Sequence, residues 1–263
     1  MMTERDNWGW RARIGMFIVG NEAVPEAEWW AMVPPDVSVH TARVTARAPW
    51  AYWRDDRSGV ELQDDLRRGS RQFAAMRLSA VVVGHSSSSI LGGPLWDEAA
   101  VEALSRELGG GVAVTTNGLD CVAALKASGV NRPFLVLPPW FNDDIVAAGV
   151  QYWRERGTEP EGHLRYDPGQ KWRDVPPSEL YRQGMGFEQE LEPLYEQVRA
   201  ACPQEADGVL IAGTGFRCVG ILDGLEQDLG RPVVSANQAS LWHCLRLSSV
   251  RTPISGYGSL LRL

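Results

Sequence analysis

Short apolar runs alternate with helical patterns along almost the whole chain, and that alternation restricts it to an α/β fold. Strands are expected at 13–19, 37–44, 79–84, 112–115, 133–137, 162–166, 208–212 and 232–235. Several are unbroken apolar runs such as AVVV and GVLI, the pattern of strands buried on both faces of a mostly parallel sheet. Helical patterns lie between them, near 26–32, 60–76, 97–108, 117–128, 141–156, 187–201, 216–229 and 238–247.

The order of elements repeats. Strand 13–19, helix, strand 37–44, helix 60–76, strand 79–84, polar turn, helix and strand 112–115 make the first half. Strand 133–137, helix, strand 162–166, helix 187–201, strand 208–212, polar turn, helix and strand 232–235 make the second. Two pseudo-symmetric lobes follow, each a short mostly parallel sheet flanked by helices. An N-terminal lobe is expected over 1–116, completed by the C-terminal helix at about 237–263, and a C-terminal lobe over 117–236. Ligands bind outside the carboxyl ends of parallel strands, so the polar turns 84–89 (GHSSSS) and 213–217 (GTGFR) are expected to face a cleft between the lobes.

Composition removes several function classes. A formal charge of −7 with no dense Lys/Arg run argues against nucleic acid. No apolar run approaches 18 residues, so no membrane span is expected. The opening MMTERDNWGWRARIG is too polar for a signal peptide. Cys121, Cys202, Cys218 and Cys244 are scattered and read as reduced thiols, which with the missing signal sets a cytoplasmic expectation. Six of eleven tryptophans precede residue 55 (Trp8, Trp10, Trp29, Trp30, Trp50, Trp53), enough to wall an apolar pocket or to bury a contact in a homo-oligomer.

Each polar turn has the makings of an anion site. The GHSSSS turn puts four hydroxyls after a strand, with Asp97 expected to cap the next helix. In the second turn Gly213 and Gly215 permit tight backbone, Thr214 is placed to cap a helix, and Arg217 is placed to pair with a carboxylate. The segment 167–186, DPGQKWRDVPPSELYRQGMG, reads as a long loop, and Trp172 and Tyr181 would let it dock as a lid.

With these segments in view the chain resembles the aspartate/glutamate/hydantoin racemase superfamily, in its maleate isomerase and arylmalonate decarboxylase branch. The stretches RIGMFIVGNEAVPEAEW, VVVGHSSSSILGG, VAVTTNGLDCVAALKASGVNRPFLVLPPW and DGVLIAGTGFRCVGILDGLEQDLGRPVVSANQASLWHCLR resemble that branch in order. The resemblance implies a small carboxylate substrate held by Ser86, Ser87 and Ser89. It also implies catalytic thiols, and here the chain departs: Gly213 and His85 stand where the branch has cysteines (or, at the first turn, glycine). Trp140 stands where it has a tyrosine.

His85 is then the residue to replace the thiol, since imidazole exchanges protons near neutral pH; the alternative is a histidine that merely shapes the turn. Glu22, with Asn21, would assist by orienting substrate or by pairing with His85 to raise its pKa. Glu26 reads as a solvated acid, Cys218 as a weak catalytic candidate, and Cys121 and Cys244 as core. No metal-ligand spacing, P-loop or GxGxxG is present, so no metal or cofactor is expected. The expectation is a lyase (decarboxylase) or isomerase that moves a proton at the α-carbon of a small carboxylic or dicarboxylic acid. A catalytically silent relative that binds a carboxylate or a protein is the alternative.

Overall fold

The computed structural model describes residues 7–263; the first six residues of the polar N-terminal stretch lie outside the described residues. The first half opens with strand β1 (Ala12–Val19), helix α1 (Val24–Met32) and strand β2 (Val37–Val44). A short antiparallel hairpin follows, β3 (Ala51–Trp53) and β4 (Val60–Leu62), then α2 (Asp64–Ala74) and β5 (Ala80–Val83). Helices α3 (Ser86–Gly92) and α4 (Trp96–Glu107), strand β6 (Ala113–Thr116) and helix α5 (Asn117–Ala127) complete it.

The second half runs β7 (Pro133–Leu137), α6 (Asp143–Glu155) and β8 (Gly162–Arg165), then α7 (Pro177–Leu180), α8 (Met185–Glu188) and α9 (Leu191–Ala201). It ends with β9 (Gly208–Ile211), α10 (Leu222–Leu229), β10 (Val233–Ser235) and α11 (Ala236–Leu247).

Two four-stranded parallel sheets result, ordered β2-β1-β5-β6 and β10-β9-β7-β8. Counted within its own half, each sheet has the order 2-1-3-4, so the repeat of element order is also a repeat of topology. Period-two alternation sorts β1 between two cores. Ile14, Met16 and Ile18 join a core that includes β7, β9 and α11, while Phe17 joins a second one with α2, α4 and the hairpin. Helix α11 packs against α5 and α1 and crosses to β5. Its start is fixed by a capping box, in which the Ser235 hydroxyl accepts from the Gln238 backbone and the Gln238 side chain accepts from the Ser235 N–H.

Several expectations need correction. The helix expected at 60–76 begins only at residue 64, because 60–62 pairs with 51–53 in the hairpin. The serine run is not a turn but helix α3, with His85 extended at its N-cap. Asp97 does not cap α4; Leu95 stands there in the left-handed region. Instead the fully buried Asp97 accepts hydrogen bonds from Ser89 Oγ (2.6 Å), Thr116 Oγ1 (2.6 Å), Tyr152 OH (2.8 Å) and Arg156 Nη2 (2.9 Å). The segment 167–186 is not irregular throughout, since it carries a 3-10 turn at Gln170–Trp172, helix α7 and the start of α8. Nor do the early tryptophans form one cluster. Trp29 and Trp50 are buried in different cores, and Trp8, Trp10 and Trp30 are exposed.

Candidate active site

Strands β5 and β9 are each the third strand, in chain order, of their four-stranded sheet, and their carboxyl ends meet. The Gly213 N–H donates to Ser86 Oγ (3.3 Å), and this one bond joins the two polar turns. Between and above them lies a cleft of about 260 Å³. Its lining includes Asn21, Glu22, His85, Ser86, Ser87, Trp140, Gly213, Thr214 and Gly215, all singled out in the sequence.

Two expected residues are elsewhere. Ser89 points away from the cleft and serves Asp97 and the Gly118 N–H. Arg217 is exposed and lines a separate cavity beside α1, because the chain after β9 runs as loop and 3-10 turn until α10 starts at Leu222. For the same reason Thr214 caps no helix. Its backbone carbonyl accepts from Asn237 Nδ2 (2.9 Å) instead.

Glu22 dominates the electrostatics. It is buried, and burial pushes its carboxyl up from 4.5 to about 8, with a hydrogen bond to Thr214 opposing the rise. Its Oε2 has no hydrogen-bond partner. At neutral pH the cleft wall therefore holds a protonated carboxyl with an unused oxygen. Glu26, one helical turn on, is engaged by Arg43 and by the Thr41 hydroxyl and takes no part in the cleft.

His85 has surroundings that suppress its charge. Its ring stacks on Trp50 with centroids 4.1 Å apart, and its Nδ1 bonds Ser88 Oγ (2.9 Å). Burial pushes it down from 6.5 to about 3, so it is a neutral imidazole at physiological pH. No carboxylate raises its pKa, contrary to the expected pairing with Glu22. The thiols are no better placed. Cys121, Cys218 and Cys244 are buried, and burial pushes all three well above the ordinary thiol value.

The serines divide their labour. Ser86 Oγ donates to Asn117 Oδ1 (2.6 Å) while accepting from Gly213, so its hydroxyl is committed to joining elements. Asn117 is held in turn by the Ala236 carbonyl and Ser240 Oγ (2.9 Å each), Ser240 by Asp120, and Asp120 by His243. Ser87 is half-buried in the cleft wall. Ser86 and Ser87 open α3, so their backbone N–H groups have no partner within the helix.

Sequence reasoning missed two contributors, Glu28 and Arg182, and named Tyr181 only as a docking residue of the 167–186 segment. Glu28 looks like a surface acid on α1, yet it is buried and accepts from the backbone N–H groups of Cys218 (2.6 Å) and Val219 (3.0 Å) and from Asn237 Nδ2 (2.6 Å). It thus pins the second turn. Tyr181 and Arg182 reach the cleft from the end of α7. Tyr181 docks edge-on against Trp140 (centroids 5.0 Å), its hydroxyl buried and unpartnered, as the aromatic residues of the 167–186 segment hinted. Burial, and then Glu22 once it ionises at alkaline pH, push its phenol up, so it stays a donor.

Among the described residues no cluster of three or more His, Cys, Asp or Glu side chains is placed to hold a metal, and no helix is long and apolar enough to cross a membrane.

The arylmalonate decarboxylase family model matches residues 55–261. Similar solved structures include the maleate isomerase Iso from Pseudomonas putida S16 (16% identity over 95% of this chain and 98% of that one, TM-score 0.78). Unliganded arylmalonate decarboxylase is also similar (21%, 95% and 98%, TM-score 0.70). So is a mutant Nocardia farcinica maleate cis-trans isomerase with a covalently bound succinylcysteine intermediate (17%, 95% and 98%, TM-score 0.75). A search of curated proteins finds no match.

Proposed function

The chain belongs to the arylmalonate decarboxylase family, and on that premise we propose that it moves a proton at the α-carbon of a small carboxylic or dicarboxylic acid, with Glu22 as the acid. The observation that carries this reading is the Glu22 carboxyl itself: buried, protonated below about pH 8, and with an oxygen free of any partner in the cleft wall. The neutral His85 orients Ser88 and packs on Trp50 rather than exchanging the proton.

In a decarboxylation the electron pair of the Cα–carboxylate bond passes into the retained carboxyl group as carbon dioxide leaves. The resulting enediolate carries two oxygen anions. The Ser87 hydroxyl and the free N–H groups that open α3 are donors of the kind that stabilise such charge, each worth roughly 100- to 1000-fold. Glu22 then gives its proton to Cα and regains one from water, a transfer worth about 100- to 10,000-fold. An isomerisation would use the same stabilised anion with the proton returned elsewhere. Covalent addition by cysteine, the chemistry named for the Nocardia farcinica relative, has no support here, since no cysteine lines the cleft and three of the four are deeply buried.

The test is turnover of phenylmalonate and maleate in deuterated water, followed by NMR. Consumption of either acid, or deuterium at its α-carbon, is expected for the wild type, with Glu22→Gln at least about 100-fold slower. Binding of both acids with neither turnover nor exchange would make the protein a silent carboxylate binder instead.

A further inference from the structure

Among the described residues that line the cleft, the ionisable side chains are Glu22, His85, Arg182 and the phenol of Tyr181. Glu22 is protonated at pH 7, and His85 is neutral. A guanidinium is charged at every accessible pH. Among the described lining residues one fixed charge therefore remains, the exposed guanidinium of Arg182 at the end of α7, which Glu179 pairs from outside the lining. The remaining wall is either neutral and polar (Ser87, Thr214, Asn21) or apolar (Trp140, Phe141, Pro177).

We infer that Arg182 is the residue that recognises the second anionic group of a dicarboxylate substrate at the mouth of the cleft. This deepens the function proposed above and rests on it. One carboxylate enters among the neutral donors around Ser87; the other stays at the mouth, where a planar guanidinium offers a two-pronged partner. Arg182 is tied to Glu179 one turn back on the same segment. Glu179 therefore competes with an incoming carboxylate and holds the guanidinium in reserve. Arg217, the cation first suspected from the sequence, cannot fill this role because it lies outside the cleft.

Because the wild type is proposed to consume phenylmalonate, isothermal titration with phenylmalonate and phenylacetate is done in the slow Glu22→Gln background, alone and combined with Arg182→Gln, Glu179→Gln or the control Arg173→Gln. Arg173 is exposed and outside the cleft lining. Loss of a charge-assisted pair should weaken phenylmalonate roughly tenfold in Arg182→Gln, with phenylacetate changed less than about twofold. Glu179→Gln should tighten phenylmalonate by about two- to threefold, and Arg173→Gln should move neither acid by more than about twofold. Equal loss of both acids in Arg182→Gln, or loss of neither, overturns the role of Arg182 while leaving the proposed function standing. Failure of both the wild type and the Glu22→Gln parent to bind either acid overturns both.

Discussion

Gly215 and Glu22 are packed so closely that a Cβ on residue 215 would lie 2.5 Å from Oε1 of Glu22 and 2.9 Å from the ring of Tyr181. The glycine is what lets the acid and the phenol share one wall of the cleft. Gly215→Ala should therefore displace the Glu22 carboxyl. Overpacking of this kind costs about 1–3 kcal/mol in stability, and the misplaced acid should slow turnover on the order of 100-fold. Urea unfolding beside a rate measurement separates the two; unchanged turnover would mean that the position of Glu22 is immaterial.

Glu22 and His85 also imprint opposite slopes on stability against pH. The folded pKa of Glu22 is raised from 4.5 to about 8, so between those values the folded state holds a proton the unfolded state has lost. Its contribution is complete below about pH 4.5 and disappears as pH rises towards 8, by on the order of 5 kcal/mol. The folded pKa of His85 is lowered from 6.5 to about 3, so the unfolded state binds the extra proton and stability falls as pH drops below 6.5. The two slopes oppose each other between about 4.5 and 6.5. Urea unfolding from pH 3.5 to 8.5 should show that Glu22→Gln flattens the decline above pH 6.5, and that His85→Gln flattens the decline below 4.5.

How much of this was legible beforehand follows from the range of the interactions. The α/β class and the repeat were readable because strand and helix patterns are local. Both polar segments stand out because they follow apolar strands, although the serine run folds as helix α3 rather than as a turn. What pattern could not supply is burial caused by distant segments. Glu28 looks like a surface acid on α1, yet it is buried against Cys218, Val219 and Asn237, some 190 residues or more away. His85 has a sequence context that suits a proton carrier, and only the stacking of Trp50 reveals a suppressed base. Ser89 and Ser87 look alike in a serine run, but helical geometry sends Ser89 to Asp97 and leaves Ser87 at the cleft. Arg182 was hidden in a segment whose path no periodicity sets.

Gly213 has φ +96°, and a Cβ there would meet Pro138 Cγ at 2.9 Å. A thiol cannot simply be placed at this position. Gly213→Cys and Gly213→Ala should lose stability alike, by about 1–3 kcal/mol, because the cost lies in the backbone and the Cβ rather than in the sulfur. Parallel urea melts check this. A cysteine variant as stable as the wild type would mean that the turn refolds around it.

Asn117 ties α5 to α3 and α11 through Ser86, Ala236 and Ser240. Removing it strands buried polar groups on both partners. Asn117→Ala should cost roughly 1–3 kcal/mol, and it should weaken phenylmalonate binding because Ser86 no longer holds the two turns in register. Titration of the variant at a temperature where it remains folded checks the second effect. Wild-type affinity there would show that the bond between Ser86 and Gly213 suffices alone.

The rate profile distinguishes the direction in which Glu22 works. As the acid that protonates Cα it is active only in its protonated form, so kcat should be flat below about pH 7 and fall tenfold per unit above about 8. As a base it would give the reverse, a rate rising through pH 8 to a plateau. His85 titrates too low to shape either limb near neutrality. Glu22→Gln should abolish the alkaline limb together with most of the rate, whereas His85→Gln should lower the rate and keep the limb where it is. An alkaline limb that survives in Glu22→Gln would assign the proton to another group, and the Tyr181 phenol, which burial keeps protonated above the ordinary phenolic range, would be the next to test.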